Sequence, residues 1–128
     1  MTKTNWAGLS ASDLGREIEA GRICPVQLTE EMLDKITKHP DGTRIYARLT
    51  RKRALDEAMA ARGRARAGLR RGPLDGVPVS WKDLFDTANI ATEAGTALLR
   101  GRVPTADAEV LRAMTLAGTI CLGKTHMT

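Results

Sequence analysis

Residues 72–95, GPLDGVPVSWKDLFDTANIATEAG, constrain what this chain can fold into more than any other stretch. Gly72 and Pro73 stop a preceding helical pattern, because proline removes a backbone donor and glycine favours turns. Gly76 permits a tight backbone approach, after which Val77, Val79 and Trp81 alternate with Pro78, Ser80 and Lys82. A period of two marks a half-buried strand, which puts Lys82 at the strand's end. Pro78 cannot donate to a ladder, so it is expected at the strand's first turn. A lysine held partly buried there would have its charged form disfavoured by desolvation, leaving a neutral amine to act as a base. Asp83 and Asp86 follow, and taken alone Lys82 reads first as a surface lysine paired with one of them.

The residues before this stretch read as helices. Ser10 with Asp13 three residues on is an N-cap pattern resembling a capping box, Leu9 and Leu14 form a staple, Ile18 extends the stripe and Gly21 ends it. A second helix is predicted to start near Pro25 and to carry Leu28, Met32 and Ile36, until Pro40, Asp41 and Gly42 break it. A third is predicted over 51–69 with Leu55, Ala58, Met59, Ala65 and Leu69 toward one side. After the Lys82 strand come a loop through Gly101 and Pro104 and a short helix capped by Thr105, with Val110, Leu111, Met114 and Ala117 inward. Gly118 closes it, and 119–122 reads as a second strand. This β-loop-α-β order fits parallel neighbours in an α/β sheet.

Composition limits the core. Leu, Ile, Val and Phe number 26 of 128 residues, roughly the 20% at which independent folding becomes marginal. No apolar run reaches the roughly 20 residues of a spanning helix, so no membrane partner is expected and a cytoplasmic location is the default. Cys24 and Cys121 are expected as buried reduced thiols, and two cysteines with isolated His39 and His126 do not supply a metal site. His39 reads as a helix-end or surface residue and His126 as a hydrogen-bonded loop histidine. Residues 44–71 hold ten of the twenty basic residues against Asp56 and Glu57. That density suggests nucleic acid, but with Tyr46 as the only aromatic in the segment a solvated helix face is the better reading, with no specific nucleic acid expected.

From Gly72 onward the motifs resemble those of the amidase signature family. The segment GPLDGVPVSWKD matches the family's G-P-L-x-G-[IV]-P-[IV]-x-x-K-D pattern, and TEAGT, PTADAEVL and ICLGKTHM match its later elements in the same order. The resemblance implies an α/β/α core, begun here and with its sheet incomplete. Residues 1–71 would be a helical leader and 72–128 the start of the catalytic core, the chain being an amino-terminal piece. It implies hydrolysis of a carboxylic, non-peptide amide C–N bond by a serine, serine, lysine triad whose lysine is Lys82. Both serines are expected downstream of the GKTHM element, not at Ser10, Ser12 or Ser80, so these 128 residues alone should be inactive. A small-molecule amide is the implied substrate, with no cofactor and no metal, and a homodimer is admitted as an assembly. The turn around Gly123, Lys124 and His126 is implied to lie near the substrate cavity. One branch of the family supplies the amidase component of a tRNA-dependent amidotransferase. The competing reading is a non-enzymatic basic helical module that binds RNA or a partner protein.

Overall fold

The computed structural model describes residues 5–127. Helix α1 (Ala11–Glu19) starts where the Ser10 side chain accepts the Asp13 N–H at 3.1 Å, as the sequence pattern predicts. Helix α2 (Pro25–Lys38) opens on proline and ends with Lys35 and Lys38 in its last turn, where cations complement the helix dipole. A short turn of helix α3 (Gly42–Ile45) leads into strand β1 (Tyr46–Leu49), and helix α4 (Arg51–Arg66) follows. Strand β2 (Pro78–Lys82), helix α5 (Glu109–Leu116) and strand β3 (Ile120–Thr125) complete the chain.

The sheet order is β1-β3-β2, with β3 central, parallel to β2 and antiparallel to β1. The expected parallel pair is therefore present, and Pro78 takes the first position of β2, where its missing N–H does least harm. The ladder slips by one residue between Val79 and Ser80, opposite Cys121 and Gly123. At Gly76 φ is +90°, and a Cβ would lie 3.1 Å from the Pro25 ring, so the close approach read from the sequence is real.

Two apolar clusters form the core, and α2 serves both. Leu14, Ile18, Ile23, Leu28 and Val77 make one; Leu33, Ala54, Ala58, Ile120 and Leu122 make the other, with Met32 packed against each. Fully burying each branched side chain contributes roughly 1.5–3 kcal/mol before chain entropy is counted.

Several sequence expectations are corrected. Residues 1–71 are not purely helical, because β1 comes from them; its four residues are all half-buried and show no alternation to read. Helix α4 stops at Arg66 and turns Ala54, Ala58 and Ala61 inward, leaving Met59 half-exposed and Leu69 beyond its end largely exposed. Close packing of α4 on β3 favours small side chains over the bulkier ones that apolar periodicity selects. Helix α5 starts at Glu109 after Ala108, without a side-chain cap, so Thr105 does not cap it. Leu111 is buried and Met114 half-buried, but Val110 and Ala117 face outward. Strand β3 runs on through Thr125, so Gly123 and Lys124 belong to a strand and not to a turn. Cys121 is buried and Cys24 only half-buried; both are free thiols.

Candidate functional site at the carboxyl ends of the parallel strands

Strands β2 and β3 end side by side, with Lys82 opposite Thr125 in the ladder. Lys82 thus stands at a strand end as expected, but it is exposed and not partly buried. Lys82 is exposed where the next residue, Asp83, is buried, as expected of neighbours whose side chains leave the chain in opposite directions. Among the described residues neither proposed carboxylate pairs with Lys82. Asp86 instead takes a two-point bond from Arg102 at 2.7 and 2.9 Å, which holds its carboxyl below the usual range.

Asp83, the next residue, points inward and is almost wholly buried. Its Oδ1 accepts Arg48 Nη1 at 2.5 Å and lies 3.4 Å from Lys124 Nζ. Arg48 also donates to the Ala91 carbonyl at 2.9 Å and lies 3.3 Å from Glu93. Lys124 is completely enclosed, and its ammonium donates to the Phe85 carbonyl and to Thr92 Oγ1, both at 2.9 Å. Burial pushes the Lys124 ammonium down from the ordinary lysine value, against the pull of Asp83. The buried lysine of this region is Lys124, and its signal was a lysine inside an otherwise apolar strand, ICLGKT. Gly123 beside it admits no side chain, since a Cβ would meet the Arg48 carbonyl at 2.7 Å where β1 crosses close to β3.

A polar cleft of about 290 Å³ opens at this end, lined by Arg48, Asp83, Glu93, Gly95, Arg100 and His126 among others. The loop bounding it carries two consecutive left-handed residues, Ala94 (φ 51°) and Gly95 (φ 68°). The Ala94 N–H bonds the Asp83 carbonyl at 2.8 Å, and Glu93 accepts the Gly101 N–H at 2.7 Å, which keeps that loop folded back on the strand end. His126 just past β3 is an exposed loop residue whose Nε2 lies 3.0 Å from the Thr43 carbonyl, in agreement with the sequence. His39 caps α2 at its carboxyl end and accepts the Asp41 N–H through Nδ1 at 3.0 Å.

Within the basic segment Arg44, Arg51, Lys52, Arg66 and Arg71 are exposed, while Arg48, Arg53 and Arg64 turn inward. Arg53 bonds Asp107 at 2.8 and 3.0 Å, Arg64 bonds Asp75 at 2.9 and 2.7 Å, and Arg48 joins the strand-end cluster. These three side chains are between 18% and 24% exposed, so their charge is committed inward. Among the described residues no helix is long and apolar enough to cross a membrane, and no group of three or more His, Cys, Asp or Glu side chains is placed to hold a metal ion.

Helices packed on a sheet whose parallel strands deliver charged groups to a cleft at their carboxyl ends define an α/β protein, a class in which ligands commonly bind at strand ends. Comparison with known proteins narrows this. The Amidase family model matches residues 27–128, and the chain belongs to that family. It is 38% identical over 124 residues to one subunit of the glutamyl-tRNA(Gln) amidotransferase of Salinispora arenicola (strain CNS-205), covering 97% of this chain and 25% of that protein. It superimposes on the native peptide amidase of Stenotrophomonas maltophilia with a TM-score of 0.86 at 34% identity, covering 94% of this chain and 25% of that one. A fatty acid amide hydrolase shares the fold at a TM-score of 0.87 and 21% identity, over 100% of this chain and 23% of its own. The chain thus spans about a quarter of the length of the relatives it matches.

Proposed function

We propose that these residues belong to an enzyme that hydrolyses carboxylic amide C–N bonds through a serine, serine, lysine triad, with Lys82 as the lysine. The observation that carries this reading is the position of Lys82: last residue of β2, inside the GPLDGVPVSWKD motif, next to Asp83, which lines the strand-end cleft while Lys82 itself does not. In this scheme the Lys82 amine accepts a proton from the bridging serine as that serine takes the proton of the nucleophilic serine attacking the amide carbonyl. Collapse of the tetrahedral intermediate breaks the C–N bond, and the same proton returns to the leaving amine. Water then hydrolyses the acyl-enzyme by the reverse relay. Neither serine role is assigned to Ser10, Ser12 or Ser80: Ser10 caps α1, Ser12 lies within it, and Ser80 is bonded to the Tyr46 hydroxyl.

The substrate is a small-molecule, non-peptide amide, and no cofactor or metal takes part. Arg48, Arg53 and Arg64 hold carboxylates within the fold, and no specific nucleic-acid binding is expected of residues 44–71. The test is release of ammonia or amine from a panel of simple amides and carboxy-terminally amidated peptides by the full-length protein, with and without a metal chelator. Hydrolysis of a non-peptide amide, unchanged by the chelator, is expected. Absence of turnover on every amide, or turnover lost with the chelator, contradicts the reading, and activity confined to the amidated peptides overturns the substrate class.

A further inference from the structure

We propose that Lys124 is a positioning residue for Lys82: its enclosed ammonium fixes the loop that leaves β2 and so fixes where the Lys82 side chain begins. This rests on the reading of Lys82 given above. An ammonium offers three donors, and all three face one loop: the Phe85 carbonyl at 2.9 Å, Thr92 Oγ1 at 2.9 Å and Asp83 Oδ1 at 3.4 Å. Thr92 is itself buried and gives its own proton to the Ile90 carbonyl at 3.2 Å, which leaves its oxygen to accept from Lys124.

The connection to Lys82 is short. The Phe85 N–H donates to the Lys82 carbonyl at 3.1 Å, so the peptide whose oxygen Lys124 holds is one residue removed from a bond to Lys82 itself. Nearer still, the Asp83 N–H donates to the Thr125 carbonyl at 2.9 Å, one residue beyond Lys124. The chain just after Lys82 is therefore tied to β3 at two points, Asp83 and Phe85. The Lys82 side chain, in contrast, is exposed and has no ion-pair partner among the described residues. Its placement depends on its backbone.

A buried cation is an expensive filler, and methionine would occupy much the same volume without desolvation. What methionine cannot do is hold a carbonyl, a hydroxyl and a carboxylate from one loop at once. The lowered proton affinity that burial imposes on Lys124 is the accompanying sign of that enclosure.

The experiment measures kcat, KM and urea stability of the full-length protein and of Lys124→Met, Thr92→Val and Lys82→Ala. For folded Lys124→Met the expected result is a kcat at least about tenfold lower with KM within about twofold, the pattern of a misplaced reacting group. Thr92→Val, which removes one hydroxyl at constant shape, should lower kcat by about threefold. A folded Lys124→Met with the parent's kcat and only reduced stability would overturn the proposal, since a purely structural lysine predicts that split. If Lys124→Met does not fold, an unchanged kcat in Thr92→Val overturns it and a lowered one supports it. Lys82→Ala separates the two claims. A dead Lys82→Ala beside a fully active Lys124→Met removes only the positioning role, whereas an active Lys82→Ala removes both.

Discussion

The two groups of inward-facing charges are built differently. Beneath the loops that join α4, β2 and α5, Arg64 with Asp75 forms a closed two-point pair, its guanidinium facing one carboxylate, while Arg53 bonds Asp107 at two points and also lies 3.3 Å from Glu57. At the strand ends, Asp83 is shared between Arg48 and Lys124, and Arg48 is shared between Asp83 and Glu93. Arg64 has no second carboxylate among the described residues, so its pair ties α4 to the segment before β2 and fails when Asp75 is lost. The shared cluster keeps a second partner for Asp83 and for Arg48 and can tolerate rearrangement beside a cleft. The first anchors the scaffold and the second borders the strand-end cleft.

The largest stability effect should come from Asp75. Asp75→Asn leaves Arg64, 18% exposed, without its anion and weakens the bond from the Arg71 N–H, now 2.8 Å. A loss of about 3 kcal/mol is expected from urea unfolding of the full-length protein. A loss under about 1 kcal/mol would put this pair with ordinary surface pairs and erase the contrast. The pair also sets a pH dependence. Although burial opposes it, the Arg64 guanidinium beside Asp75 holds its carboxyl below the usual aspartate value, and Arg53 does the same for Asp107. The stability they contribute is present above the unfolded-state value of about 4 and is lost as pH falls through the lower folded values. Asp75→Asn should flatten that acid loss, measured as the unfolding midpoint against pH.

Arg48→Met should cost less, about 2 kcal/mol, because Asp83 keeps Lys124 as a partner. An equal or greater loss than for Asp75→Asn would show that the strand-end cluster does not share its charges. Glu57→Gln should have the smallest effect. Glu57 accepts the Cys121 N–H at 2.9 Å, and a glutamine oxygen can do the same. Burial raises this carboxyl's proton affinity, so its folded-state value lies above the unfolded one and stability falls as pH rises through that interval. Removing the charge should therefore change stability at neutral pH by less than about 1 kcal/mol. A larger loss would show that Glu57 works as an anion toward Arg53 and not as a simple acceptor.

The helix starts at Ser10 and Pro25, the strand around Val79 and the parallel pairing of β2 with β3 were all legible, because each rests on local chemistry or on chain order. Strand β1 was not, since its role comes from pairing with β3, far along the chain, and its four residues carry no period. The burial of Ala54, Ala58 and Ala61 instead of Met59 and Leu69 depends on how closely α4 approaches the sheet, which no single helix encodes. At the candidate site the motif singled out Lys82 correctly as a strand-end residue, while the enclosure expected for it belongs to Lys124. Two lysines on neighbouring strands look alike in sequence; the loop that folds back over one of them separates their environments.

The most direct test of the account is the amide turnover of Lys82→Ala in the full-length protein, with folding checked by circular dichroism and urea unfolding. Because the side chain is exposed and bonds nothing among the described residues, the fold and its stability should be close to the parent's, while kcat falls by about a hundred- to ten-thousand-fold. Lys82→Arg should be no better, since a guanidinium stays protonated and cannot accept the serine's proton. Turnover of a folded Lys82→Ala within a few-fold of the parent would contradict the assignment of Lys82 as the base.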